Sequence, residues 1–106
     1  MPAFQNPFAG KVPGRPLTDE EIVRALRLDL ANEEEAIATY MAHVEAIDGQ
    51  DGVARKVLLS IANEERVHAG ELQMLIDIIT EDEFKFLREG MKEVISTTGV
   101  GKLPGE

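Results

Sequence analysis

Three side chains with metal-binding chemistry stand at positions where helical periodicity predicts an apolar residue. They are Glu33, Glu65 and His68. A buried carboxylate without a partner costs several kcal/mol or becomes protonated, and neither stripe offers a Lys or Arg at this level. Carboxylate oxygen combined with imidazole nitrogen suits iron or manganese, with zinc as a competitor. The pattern therefore predicts that these three residues bind a metal ion.

Two apolar stripes carry these residues, and their steps of three and four positions keep one face of an α-helix. The first stripe consists of Ile22, Leu26, Leu30, Glu33, Ile37, Tyr40, Val44 and Ile47. The second stripe consists of Val57, Ile61, Glu65, His68, Leu72, Leu75 and Ile79. Glu65 and His68 are three residues apart, so they share a face and can bind the same metal ion.

The three polar residues also fall at one height in an antiparallel hairpin. If the chain folds back about Gln50, each lies at a similar number of residues from the turn. At ~1.5 Å per residue they then fall within about one helical turn of each other. Four-helix bundles that bind two irons take a Glu from each of two helices and a Glu-x-x-His from each of the other two. This chain has one of each, which predicts half a bundle completed by a second copy.

Capping signals predict the elements that position these residues. Thr18 followed by Glu21 forms a capping box and opens a helix over residues 19–48. Glycines in residues 49–52 predict the turn, and a second helix follows over residues 53–79. A second capping box, from Thr80 to Glu83, opens a short third helix that ends near residue 95. The predicted fold is all-α, a long antiparallel two-helix hairpin plus a short third helix.

The chain divides into a central domain and two terminal segments. Residues 1–16 hold four of the five prolines and form a Pro/Gly-rich arm, which is either disordered or docks through Phe4 and Phe8. Residues 17–96 form the helical hairpin domain. Residues 97–106 are predicted to form a flexible C-terminal tail.

Composition excludes several classes of protein. A length of 106 residues allows one domain, and a net charge of −9 argues against binding nucleic acid. The absence of cysteine excludes disulfides, iron–sulfur clusters, thiolate zinc sites and a rubredoxin-type iron centre. No apolar run approaches the ~20 residues that span a bilayer, and the first residues lack the basic region and apolar stretch that predict a signal peptide. The sequence therefore predicts a cytoplasmic protein that is not inserted in a membrane.

Each of these residues also has an explanation without chemistry. The runs around Glu33 and Glu65 are typical of a solvated charged face, and a single Glu-x-x-His arises by chance on many helices. However, all three residues lie within the apolar stripes and at a similar height along the hairpin, and this combination favours the metal site. Tyr40 either hydrogen-bonds a ligand carboxylate or is a core tyrosine whose hydroxyl needs a partner. Glu35 and Glu64 are secondary metal contacts in this interpretation.

Two strings of sequence resemble the ferritin-like superfamily, and within it the encapsulated ferritins. Residues 33–40 resemble the rubrerythrin-type pattern Glu-x-x-Ala-x-x-x-Tyr, and residues 61–69 resemble its companion Ala-x-x-Glu-x-x-His. Rubrerythrins and ferritins carry such a pair twice, whereas this chain carries it once, as encapsulated ferritins do. The similarity extends over residues 17–99 and includes the third helix.

The resemblance implies a specific assembly and activity. Encapsulated ferritins are hairpins that dimerise into a four-helix bundle and associate into a ring, usually a decamer. A di-iron centre, with two irons per dimer, forms across the dimer interface and oxidises Fe(II) with oxygen. The protein works inside an encapsulin shell, which stores the iron. The implied location is therefore a nanocompartment in the cytoplasm.

Residue roles follow from the same resemblance. Glu65 would bridge the two irons, Glu33 and His68 would be terminal ligands, and Tyr40 would be the nearby tyrosine. Glu35 matches one member of the family's iron-access site, but Asn32 stands where that site usually has another Glu. Residues 99–106 do not resemble a shell-targeting peptide.

Two other functions fit the same residues. One is a rubrerythrin-like protein that reduces peroxide, which would need an electron donor in trans because this chain has no cysteine-bound iron. The other is a non-enzymatic assembly module in which the metal only stabilises a dimer.

Overall fold

Three α-helices form the fold in a computed structural model, which describes residues 14–47 and 52–106. They are α1 (Asp19–Ala46), α2 (Gly52–Thr80) and α3 (Glu83–Thr98), and the described residues contain no strand. The predicted all-α class is confirmed. The arm residues Phe4 and Phe8, and most of the predicted 49–52 turn, lie outside the described residues.

The predicted capping box at the start of α1 is confirmed. The backbone N–H of Glu21 donates to Oγ1 of Thr18 at 3.2 Å, and the N–H of Thr18 donates to Oε1 of Glu21 at 3.0 Å. Arg15 adds two hydrogen bonds to the same carboxylate, at 2.7 and 3.1 Å. Mainly through the Arg15 hydrogen bonds, the pKa of Glu21 falls to about 2. At the start of α1, the N–H groups of Thr18 and Glu21 therefore have side-chain acceptors. The acidic residues of the first turn also place negative charge at the positive end of the helix dipole.

The predicted capping box between α2 and α3 is only half formed. The N–H of Glu83 donates to Oγ1 of Thr80 at 3.2 Å, as expected. However, Thr80 is the last residue of α2, and α3 has Asp82 at its N-cap. The Glu83 carboxylate does not return to Thr80 because it accepts two hydrogen bonds from Arg27 of α1, at 2.8 and 2.9 Å. A tertiary ion pair has replaced the local motif.

The third helix is longer than predicted. It continues to Thr98, so it passes the predicted end near residue 95 and includes the first residues of the predicted tail. Gly99 then adopts a left-handed conformation with φ of 71° and donates its N–H to the carbonyl of Ile95 at 2.7 Å. This glycine cap stops the helix. Beyond it, Leu103 is buried, so the end of the chain packs onto the fold.

The two long helices pack antiparallel. Near the start of α1, Val23 lines a groove together with Ile79 and Thr80 at the end of α2, and Arg27 reaches the start of α3. The hairpin predicted from the sequence is therefore present. None of the helices in the described residues combines the length and the apolar character needed to cross a membrane.

The core of the hairpin differs from the predicted second stripe. Within α2, the buried residues are Ala62, Ala69 and Ile76. Each directly follows a member of the second stripe, so the buried face is turned by one residue, about 100° around the helix. Val57 and Leu75 of the second stripe stay 54% and 45% exposed. The reason is that α1 covers only one face of α2, and the second stripe lies on the adjacent face.

Candidate metal centre

The structure brings Glu33, Glu65 and His68 together. Each offers a ligand atom, and these atoms all lie within 4.8 Å of one another. Nδ1 of His68 is 3.8 Å from Oε2 of Glu33 and 3.6 Å from Oε2 of Glu65. Ligand atoms that each sit ~2 Å from one metal ion are separated by distances of this order. We call these three residues the metal-ligand group.

Two helices supply the group at the same height. Glu33 comes from the middle of α1, while Glu65 and His68 come from consecutive turns of α2. Long uninterrupted helices hold all three, and this limits the movement of each Cα atom. Helix elements position ligands more accurately than loops do.

The donor set fits a metal ion. Oε2 of Glu33 is buried and has no hydrogen-bond partner. An ionised oxygen in that state is costly unless a positive charge compensates it. Two carboxylates and one imidazole supply oxygen and nitrogen donors, which suit iron, manganese or zinc. The protein ligands therefore match the ion that the sequence predicts.

The group is open on one side. The side chains of Glu33 and Glu65 are 26% and 20% exposed, and that of His68 is 49% exposed. By spacing, Glu65 and His68 share their helix face with the exposed Val57 and Leu75. Polar ligands and apolar side chains thus occupy one uncovered face of the hairpin. This explains why positions predicted to be buried are only half-buried in a single chain.

The other predicted site residues lie outside the metal-ligand group. Glu35 is half-buried and Glu64 is exposed, and neither belongs to the group. Tyr40 is half-buried and stands seven residues after Glu33, about 10 Å along the axis of α1. Their predicted roles as secondary metal contacts and as the nearby tyrosine stay predictions.

Arg27 was not anticipated from the sequence. Its ion pair with Glu83 spans 56 positions along the chain, and no local pattern indicates it. Gly70 of α2 is exposed, and a Cβ built on it would meet nothing within 4 Å, so the hairpin itself does not need a glycine there.

Comparison with known proteins places this fold and site in context. No protein-family model matches the chain. The encapsulin nanocompartment cargo protein EncC of Myxococcus xanthus is 35% identical over 88 residues, which cover 83% of this chain and 65% of EncC. A ferritin-like–encapsulin shell fusion protein of Pyrococcus furiosus is also 35% identical over 88 residues, which cover 81% of this chain and 24% of the fusion.

A solved structure decides the family. The crystal structure of the encapsulated ferritin domain from Pyrococcus furiosus superposes with a TM-score of 0.79 and 30% identity. The match covers 95% of this chain and 100% of that domain. The chain belongs to the encapsulated ferritin family. The resemblance seen in residues 33–40 and 61–69 is therefore confirmed.

Membership of the encapsulated ferritin family supports a ferritin-like, iron-related role. The chain spans less than two thirds of either curated relative, 65% of EncC and 24% of the fusion protein. What those longer proteins do as a whole is therefore not transferred directly. The part that is shared is the helical domain.

Proposed function

We propose that this encapsulated ferritin is a ferroxidase that oxidises Fe(II) to Fe(III) with oxygen at a site shared by two hairpins. The observation that carries the proposal is the convergence of Glu33, Glu65 and His68 to within 4.8 Å. Iron is the substrate here. Each Fe(II) gives up one electron, so a pair of ions can reduce one O2 to hydrogen peroxide with uptake of two protons.

The ligands have distinct roles in this proposal. Glu65, with two carboxylate oxygens, would bridge the two iron ions, while Glu33 and His68 of the same hairpin would together be the terminal ligands of one ion. Oε2 of Glu33 is buried and accepts no hydrogen bond, so it is desolvated before iron arrives. Carboxylates suit a reaction in which charge on the ions increases, because they are anionic and can bind through one oxygen or two. Tyr40 lies further along α1 as a neighbouring phenol rather than a ligand.

Two observations support a shared site. One hairpin supplies a single Glu and a single Glu-x-x-His, which is half the set used by di-iron four-helix bundles. The face that carries these ligands also exposes Val57 and Leu75. A second copy packed on this face would bury the apolar side chains and complete the ligand set. The proposed unit is a homodimer with two irons, which associates further into a ring.

We also propose that the protein works with an encapsulin shell. One relative is named as an encapsulin cargo protein, and another is named as a fusion of a ferritin-like domain with a shell. Both match this chain through its helical domain. In this proposal the ferroxidase acts inside a nanocompartment in the cytoplasm, and the shell retains the Fe(III) that it produces.

Glu65→Ala tests the ferroxidase directly. Removing the proposed bridging carboxylate should abolish most oxygen-dependent Fe(II) oxidation, measured by oxygen consumption and by Fe(III) absorbance. Glu71→Ala is the matched control, because Glu71 is an exposed carboxylate on the same helix and lies outside the metal-ligand group. Its turnover should equal that of the wild type. Unchanged turnover in Glu65→Ala would rule out this site.

The same assay distinguishes oxygen from hydrogen peroxide as the preferred oxidant. Fe(II) oxidation is followed with oxygen and, under anaerobic conditions, with hydrogen peroxide. A ferroxidase should be faster with oxygen, whereas a rubrerythrin-like protein should be faster with peroxide. Metal-dependent thermal stabilisation without turnover would instead indicate an assembly module.

A further inference from the structure

We propose that Ala62 and Ala69 are positioning residues, which set the distance between α1 and α2 so that Glu33 reaches the other two ligands. This inference rests on the proposed function, because it concerns the same metal-ligand group. It assigns a role to two residues that contact no metal ion themselves.

Their burial and their positions carry the proposal. Ala62 is 0% exposed, and Ala69 is also buried. They are seven residues apart, so they lie on one face of α2. Ala69 lines a groove together with Glu34 and Ile37 of α1, which indicates that this face is turned toward α1. Ala62 precedes Glu65 by three residues, and Ala69 directly follows His68. The two buried alanines of α2 therefore stand on either side of its two proposed ligands.

Side-chain size at such a contact determines helix spacing. Packed helices lie about 8–10 Å apart, depending on the residues at the contact. Alanine allows a distance near the lower limit, whereas leucine at the same position would push the helices apart. Protein interiors are close-packed, so atoms added at the fully buried Ala62 have little free volume to occupy. Ala69 borders a groove that Glu34 and Ile37 of α1 also line, so a larger side chain there would have to enter that groove or displace α1.

Only one of the three ligands depends on that spacing. Glu65 and His68 are on the same helix, so their 3.6 Å separation does not change when α1 moves. Glu33 is on the other helix, and its 3.8 Å separation from His68 increases as the helices move apart. Metal sites require ligand positions within about 0.5 Å of the productive geometry. A small increase in spacing therefore removes Glu33 from the ligand set.

The test replaces each alanine with leucine and measures metal affinity without turnover. Co(II) is titrated into wild type, Ala62→Leu and Ala69→Leu by calorimetry, and helix content is followed by circular dichroism. The expected result is metal binding that is about 10–100-fold weaker, the range found when residues supporting a ligand are changed. Ala42→Leu is the matched control, because Ala42 is exposed on α1, and its affinity should equal that of the wild type.

A glycine variant distinguishes an effect of helix spacing on metal affinity from an effect of protein stability. Ala62→Gly adds no bulk but lowers helix propensity, so it should lower Tm and keep the wild-type affinity for Co(II). If Ala62→Leu does not fold, Ala62→Ser and Ala69→Val provide smaller steps in volume, and affinity should fall in order of volume. A crystal structure of a leucine variant should show Glu33 and His68 more than 3.8 Å apart.

Different outcomes overturn different claims. Leucine variants that bind Co(II) as tightly as the wild type would overturn the spacing role and leave the ferroxidase proposal intact. Equal losses of affinity in Ala62→Gly and Ala62→Leu would show that stability, not spacing, is responsible. A wild-type protein that binds no metal would overturn both proposals.

Discussion

At the scale of single residues, the metal-ligand group combines features that are unfavourable without a metal ion. Glu33 and Glu65 place two carboxylates beside the same imidazole, and Oε2 of Glu33 has no hydrogen-bond partner. Like charges held close together and a desolvated oxygen both destabilise the fold. A bound cation would remove both penalties, so metal affinity and fold stability should be coupled at this site.

Glu33→Gln tests that coupling. The amide removes one charge with little change in shape, so the metal-free variant should have a higher Tm than the metal-free wild type. A ligand at one hundred times its dissociation constant stabilises a protein by about 2.7 kcal/mol. Wild type should gain this amount from Co(II), and the variant should gain much less, as measured by differential scanning calorimetry. Glu34→Gln, at the exposed neighbouring position, should gain as much as wild type.

Strain at one backbone position is also a residue-scale property. Glu81, between α2 and α3, has a φ of 64°, a left-handed conformation that costs a residue with a Cβ about 1–2 kcal/mol. Glu81→Gly should therefore stabilise the protein by about 1 kcal/mol, measured by urea denaturation. Glu71→Gly, at an exposed position inside α2, should destabilise it by a similar amount. A loss of stability in Glu81→Gly would contradict this assignment.

At the scale of elements, one ion pair ties α3 to α1. Arg27 donates two hydrogen bonds to Glu83, the first residue of α3, and Oδ1 of Asp77 accepts the N–H of Phe84 at 2.9 Å. A paired guanidinium and carboxylate give directional as well as electrostatic stabilisation. These contacts fix where α3 leaves the hairpin.

The pKa of Glu83 predicts how the stability of the Arg27–Glu83 ion pair changes at acid pH. The Arg27 hydrogen bonds hold the pKa of Glu83 below its ordinary value of 4.5. A depressed carboxyl pKa adds stability at neutral pH, and this stability is lost as the pH falls through the folded-state pKa. Because Arg27 is half exposed, solvent screening limits the contribution to about 0.2–1 kcal/mol.

Glu83→Gln measures this contribution. The variant should be less stable than wild type at pH 7 by about 0.2–1 kcal/mol. The difference should persist down to about pH 4.5 and shrink below it, as followed by urea denaturation across pH. Glu89→Gln removes a more exposed carboxylate, 3.7 Å from Lys92, and should have a smaller effect. A difference that does not depend on pH would show that charge is not the cause.

At the scale of the whole molecule, a single hairpin leaves several large apolar side chains uncovered. Its buried hydrophobic residues among those described are Val44, Ala62, Ala69, Ile76 and Leu103. Large apolar side chains remain exposed on α2 and α3, among them Val57, Leu75 and Phe86. Contiguous exposed apolar side chains are typical of association surfaces, which supports the proposed dimer. The same face of α2 carries two of the three proposed ligands, so in the proposed dimer assembly and chemistry would share one interface.

Leu75→Lys tests the shared interface. A charge on the exposed second stripe should weaken self-association and therefore Fe(II) oxidation, while leaving the hairpin helical. Native mass spectrometry, with and without Fe(II), would report subunit number and iron per dimer together. Ser96→Lys adds the same charge at an exposed polar position on α3 and should assemble normally. A Leu75→Lys protein that assembles and oxidises iron like wild type would contradict the proposed interface.

Local sequence signals determined much of this protein. The capping box at Thr18 and Glu21, the long helices and the convergence of Glu33, Glu65 and His68 were all predictable from residue types and spacing. These signals act within a few residues, so they do not depend on how the helices pack. The helix periodicity and the antiparallel fold also sufficed to place Glu33 at the height of Glu65 and His68.

Only the tertiary structure decided which helix face is buried and how α3 begins. A stripe of apolar residues predicts burial but does not identify the partner, and α1 covers the adjacent face with Ala62, Ala69 and Ile76. The capping box expected at Thr80 is incomplete because the Glu83 carboxylate accepts hydrogen bonds from Arg27, which is distant in sequence. Contacts between distant residues depend on where whole helices lie in space, and no short stretch of sequence encodes that.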